Sequence, residues 1–132
     1  MNKKNYCINY NSYYETVEII KICKLQKIKP IIFFKYHLVN GFGIEWFVEL
    51  KKLLLNEFKL IDLQTNADVK NNYGLFIGLT EKKINYLKVQ ANKEMLKKLS
   101  EIAKLNKVSI NPKFSVVDFS KTKNKTARII KL

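Results

Sequence analysis

Pro30-Ile31-Ile32-Phe33-Phe34-Lys35-Tyr36-His37-Leu38-Val39-Asn40-Gly41-Phe42-Gly43-Ile44 is the stretch on which the fold turns. Its apolar run predicts a strand over 31–39, buried on both faces as central parallel strands are. Gly41-Phe42-Gly43 predicts a turn. Beyond it Ile44, Phe47, Val48, Leu50, Leu54, Leu55 and Phe58 recur at helical spacing and define a core-facing side. A buried strand handed to an amphipathic helix through a glycine corner is the basic step of an α/β fold.

Working outward, residues 5–10 predict a preceding strand. Ser12 with Glu15 three positions later predicts a capped helix over 13–27, because hydroxyl and carboxylate can each satisfy a free amide at a helix start. On the other side, Leu60-Ile61-Asp62-Leu63 predicts a short third strand, and Gln64-Thr65-Asn66-Ala67-Asp68 a polar loop. A helix carrying Tyr73, Leu75, Phe76, Ile77 and Leu79 follows, with Gly74 and Gly78 allowing a close approach to a neighbour. A fourth strand is expected over 84–89 and a helix capped by Asn92 after it. A fifth strand over 108–110 is stopped by Asn111-Pro112, and 114–119 adds a sixth strand or an antiparallel edge. From Ser120 the composition turns to Lys, Thr and Asn, which predicts a single domain over 1–119 and a frayed basic tail over 120–132. Strand and helix alternate throughout, so the expected fold is a three-layer, flavodoxin-like, doubly wound and mostly parallel sheet of five or six strands. The strand order is left open.

A chain of 132 residues with 47% hydrophobic side chains can bury about two-thirds of its unfolded surface, which excludes global disorder. The formal net charge of +14 raises nucleic acid or an acidic surface as partners. Arg128 is the only arginine, however, whereas base and phosphate recognition favours the planar arginine fork. The lysines accompany abundant Asn, Ile, Tyr and Phe, all amino acids of AT-rich codons, so the charge reads as compositional bias spread over solvated faces. Dedicated nucleic-acid binding is therefore disfavoured. Cys7 and Cys23 sit in apolar contexts without metal-ligand spacing and read as small buried side chains in a reducing, cytoplasmic setting. The single histidine, His37, argues against a histidine-rich metal site, and no cofactor is implied. The opening Met1-Asn2-Lys3-Lys4 leads into a segment too polar for a signal-peptide core, and no segment has the length of a membrane span.

In open parallel sheets ligands sit beyond the carboxyl ends of the strands. That rule collects Asn9, Asn11 and Ser12 after the first strand, His37, Asn40, Gly41 and Gly43 after the second, and Asp62, Thr65, Asn66 and Asp68 after the third. Gly41-Phe42-Gly43 ahead of a helix is the pattern through which a backbone approaches an anion, although it lacks the third glycine of a dinucleotide fingerprint and the Gly-Lys-Ser/Thr of a phosphate loop. The leading expectation is a domain that binds a small anion or a protein partner at these strand ends. A competing one has His37 and Asp62 as acid and base on a phosphorylated or carboxylated metabolite, and a third is non-specific nucleic-acid binding through surface lysines. Trp46 and Leu53, seven residues apart, predict an apolar outer ridge suited equally to a homodimer or to a large side chain lying over a neighbouring helix.

Two resemblances follow from these motifs. Length and strand–helix order are similar to those of response-regulator receiver domains, with Asp62 at the phosphoacceptor position and Ala91 at the small residue before the fourth helix. The chain departs from that pattern at Asn9 and Asn11, where receivers carry an acidic pair, at Gln90, where they carry Ser or Thr, and at Asn111-Pro112-Lys113, where they carry Lys-Pro. Those departures disfavour a phosphorylatable receiver. Gly41-x-Gly43-x-x-Trp46-Phe47, Leu60-Ile61-Asp62, Tyr73-Gly74-Leu75 and the helix from Met95 to Ala103 resemble small uncharacterised α/β proteins of alphaproteobacteria over 6–118, with Leu63-Gln64 where those carry Cys-Gly. This resemblance implies a bacterial source and supplies no activity.

Overall fold

The computed structural model describes residues 6–132. Asn5, expected to begin the first strand, and the Met1-Asn2-Lys3-Lys4 lead-in lie outside the described residues. In chain order the elements are β1 (Cys7–Asn9), α1 (Tyr13–Leu25), β2 (Ile31–Phe34), α2 (Tyr36–Phe42), α3 (Ile44–Glu57), a 3₁₀ turn (Leu60–Asp62), β3 (Gln64–Lys70), α4 (Tyr73–Thr80), β4 (Tyr86–Val89), α5 (Lys93–Leu105), β5 (Ser109–Ile110), β6 (Val116–Val117) and α6 (Lys125–Lys131). The six strands form one sheet in the order β5-β4-β3-β2-β1-β6, and every pairing is parallel. This is the expected α/β fold, consistent with the flavodoxin-like class.

The strand order decides where the layers lie. From β1 to β5 the chain steps in one direction, and right-handed crossovers then place the intervening helices on one face. Register and packing agree: Ile32, Phe34, Ala67 and Leu87 face Val17 and Ile20 of α1, Phe47, Leu50 and Leu54 of α3, Leu75, Phe76 and Leu79 of α4, and Leu99 and Ala103 of α5. Ile8 extends the same face to Ile19, Cys23, Phe119 and Ile129, the last on α6. The opposite face carries Cys7, Ile31 and Phe33 with Tyr86, and Phe114 packs over them. Residues 111–115 join β5 at one edge to β6 at the other, so this connection forms the third layer in place of helices. Phe114 meets Tyr86 edge-on, ring centroids 5.1 Å apart.

Four boundaries differ from expectation. The strand expected over 31–39 ends at Phe34, and α2 occupies 36–42. Gly43 closes α2 and opens α3 with φ +90° and ψ 172°, a conformation that glycine alone adopts without strain, so the corner is a helix–helix joint. The third strand falls on Gln64–Lys70, while Leu60–Asp62 is the 3₁₀ turn before it. Thr65, Ala67 and Val69 are buried here; the polar members between them point to the second face, so the segment alternates by strand period despite its low hydrophobicity. The expected frayed tail instead holds α6, whose Asn124 side chain accepts from the Ala127 N–H at 2.9 Å and whose Ile129 is buried.

Other local readings match. The Ser12 Oγ accepts from the Glu15 N–H at 3.2 Å, and the Asn92 Oδ1 from the Met95 N–H at 2.8 Å. At Gly78 a methyl group would meet the end of the Ile44 side chain, so α4 lies close to α3 there.

Candidate functional site

The residues chosen from the sequence divide between the two ends of the sheet. At the carboxyl ends of β1 and β6, Asn9 donates to Asn11 Oδ1 at 2.9 Å, and Asn11 Nδ2 donates to Asp118 Oδ1 at 2.8 Å and Glu15 Oε1 at 3.0 Å. The Ser120 N–H and the Asn11 amide hold the Asp118 carboxyl below the usual carboxylate range, helped by the charge of Lys35. Asn40 accepts from Asn72 at 3.1 Å, and Asp68 accepts from the Lys70 N–H at 2.9 Å. Apart from the Asn9 Oδ1, these groups are engaged by protein partners. Gly41 lies within the last turn of α2 and Gly43 at its end, so the two glycines terminate a helix.

His37 and Asp62 are not brought together. His37 is exposed on α2, past the carboxyl end of β2, whereas Asp62 precedes the amino end of the adjacent parallel strand β3. Asp62 accepts from the Lys59 N–H at 2.8 Å and lies 3.5 Å from Lys24 Nζ. The Lys59 N–H, and after it Lys24, keep its carboxyl below the usual range, as befits a cap. An acid–base pair of these two residues has no common substrate position.

Thr65 and Asn66 lie inside β3. Asn66 shares its face with Asn9, with Phe33 between them in register. Each has a buried amide oxygen without a hydrogen-bond partner among the described residues, and Asn66 Nδ2 reaches Cys7 Sγ at 3.9 Å. Burial pushes the Cys7 thiol up to about 11 and the Cys23 thiol up to about 12, so neither serves as a nucleophile at neutral pH. No group of three or more His, Cys, Asp or Glu able to hold a metal ion occurs among the described residues. Trp46 and Leu53 also separate: Trp46 packs on Tyr10, Phe34 and Phe42, while Leu53 is half-exposed.

A concavity lies at the other end of the sheet, beside the amino ends of β3 and β4. Its volume is about 700 Å³, and it is lined by Val48, Lys51, Lys52 and Leu55 of α3, Leu60, Leu63 and Thr65 before and within β3, and Glu81, Lys82, Lys83 and Asn85 between α4 and β4. The spacing 48, 51/52, 55 places the first four on one stripe of α3. Asn85 fixes the floor by accepting from both the N–H and the hydroxyl of Thr65, at 2.9 Å and 3.3 Å. Lys51 Nζ donates to the Lys83 carbonyl at 2.6 Å, tying α3 to the segment after α4.

The chain matches no protein-family model and no curated protein. Function therefore rests on the geometry.

Four lysines and one carboxylate, Glu81, line the cavity, and of the lysines Lys52 is matched by Glu49 at 3.3 Å. Burial, then the neighbouring Lys83 charge, lowers the Lys51 amine from its ordinary value. A local field of this sign, over apolar walls, favours an anion with an apolar body. The sequence reading passed over this place because Lys51-Lys52 and Lys82-Lys83 look like any other lysines in so basic a chain. Lys51-Lys52 lie in the middle of α3 and Lys82-Lys83 just after α4, and nothing in their spacing brings the two pairs together.

Proposed function

We propose that this chain is a binding domain for a small organic anion, held in the cavity between α3 and the α4–β4 connection. The observation that carries this is the pairing, in one concavity of about 700 Å³, of an apolar floor of Val48, Leu55, Leu60 and Leu63 with the cations of Lys51, Lys82 and Lys83. A volume of that order suits a metabolite-sized ligand. The expectation of an anionic ligand keeps its chemistry and changes its place, from the carboxyl ends of the strands to their amino ends. At the carboxyl ends Asn11 is engaged by Asn9, Glu15 and Asp118, and Asn40 by Asn72, whereas the cavity offers cations above an apolar surface. The lining contains no aromatic ring, so stacking of nucleobases has no support there.

Fluorescence titration with anilinonaphthalenesulfonate, an apolar anion that brightens out of water, tests the reading. Saturable binding of one probe per chain is expected, weakened by salt. The exposed double substitution K82E/K83E, with its fold checked by circular dichroism, should weaken it about tenfold, as the reversal of two nearby charges implies. Binding that does not saturate, or that is equal in the wild type and the double variant, overturns the proposal.

A further inference from the structure

We propose that Lys51 forms a reversible imine with a ligand that carries an aldehyde or ketone as well as its anionic group. This deepens the preceding reading and rests on it. Lys51 lies on the cavity stripe of α3 between Val48 and Leu55, and it is half-buried where Lys52, Lys82 and Lys83 are exposed. Lys52 is also engaged by Glu49. A lysine amine becomes nucleophilic at neutral pH when apolar walls strip its water and another cation stands beside it. Lys51 meets both conditions, and burial and the Lys83 charge both lower its amine in the direction that frees a lone pair. Its bond to the Lys83 carbonyl occupies one N–H, which a neutral amine can also donate, and so holds the nitrogen in the cavity wall.

The chemistry balances without an oxidant or a reductant. The Lys51 nitrogen lone pair attacks the carbonyl carbon, a C–N bond forms and the carbonyl π pair moves to oxygen. Transfer of one proton from nitrogen to that oxygen gives the carbinolamine. Protonation of the hydroxyl, loss of water and release of the remaining N–H proton leave the imine, with one water formed for each bond made. The remaining lysines hold the ligand's carboxylate or phosphate, while the apolar floor takes its body.

The probe is 4-formylbenzoate, trapped with cyanoborohydride and located by peptide mass mapping; 4-methylbenzoate, which has the same anion and no aldehyde, measures binding by calorimetry. In the folded wild type, Lys51 should carry about ten times the label of any other lysine, because its amine is the one held among apolar walls beside a second cation. K51R, with its fold checked by circular dichroism, should lose that label. Even labelling over many lysines, or labelling unchanged by K51R, overturns the imine. Binding of 4-methylbenzoate without a Lys51 adduct overturns the imine alone and leaves the anion site standing. Failure of both probes overturns the two together.

Discussion

Gly43 shows how much one residue can state in the sequence and how much it leaves open. Its presence after Asn40-Gly41-Phe42 announced a corner, and a corner is what it makes; its φ of +90° joins α2 to α3, with its N–H donating to the Val39 carbonyl at 3.0 Å. A phosphate cradle was a second reading of the letters, weaker than the turn, because the same freedom of φ serves a turn and a close backbone approach. Gly41, two positions earlier, is helical with open space around its Cα. The pair therefore makes a contrast test by chemical denaturation. G43A should destabilise the fold by about 1–3 kcal/mol through backbone strain, while G41A should leave it unchanged or raise it by about 0.5 kcal/mol through helix propensity. Equal effects would show that the joint does not depend on the left-handed conformation.

At the scale of elements, α1, α3, α4 and α5 were legible and α2, β3 and α6 were not. The stripes of α1, α3 and α5 repeat at 3.6 residues, and Ser12 and Asn92 mark two of the starts. For β3 the most apolar letters, Leu60-Ile61, fell in a turn with both side chains exposed, and the strand took the more polar segment behind them. Period-two alternation of Thr65, Ala67 and Val69 was there to be read, yet small and polar residues give it little amplitude. The same imbalance hid α6, where one buried residue, Ile129, anchors a seven-residue helix among lysines. Arg128 adds a bond to the Asp118 carbonyl at 2.7 Å and stacks on the Phe119 ring. I129A should lower stability by about 2–4 kcal/mol, the usual cost of removing most of a buried aliphatic side chain. A loss below about 0.5 kcal/mol in a denaturant melt would mean that α6 is frayed in solution, as its composition had indicated.

For the whole molecule, alternation of strand and helix fixed the class of fold, but nothing in a single sequence states on which side of β1 the last strand will pair. The candidate site was harder to read for a related reason: it is assembled from α3, the entry to β3 and the α4–β4 connection, and closeness across elements leaves no mark in spacing. Charge acts at this scale too. Asp62 and Asp118 both have folded-state carboxyls held below their ordinary values, so the unfolded chain binds protons more readily than the folded one as the solution is acidified. Their stabilisation is complete above the ordinary carboxylate value of about 4 and disappears as pH falls through the folded values. A thermal melt series from pH 6 to pH 2.5 should show Tm falling below about pH 4, with D118N starting lower at pH 6 and falling less steeply. Parallel curves for D118N and the wild type would count against the assignment.

The pairing of β6 with β1, Cys7 opposite Val116 and Ile8 opposite Val117, has a consequence for the order of events during synthesis. Strand β1 leaves the ribosome more than a hundred residues ahead of β6, so its outer edge lacks that partner while the rest of the sheet emerges. During that interval its free backbone groups and the underside covered by Phe114 are open to any extended segment nearby, including another nascent copy. Closure spans more than a hundred residues of sequence, so docking of β6 with α6 is expected to be the slow, late step of folding.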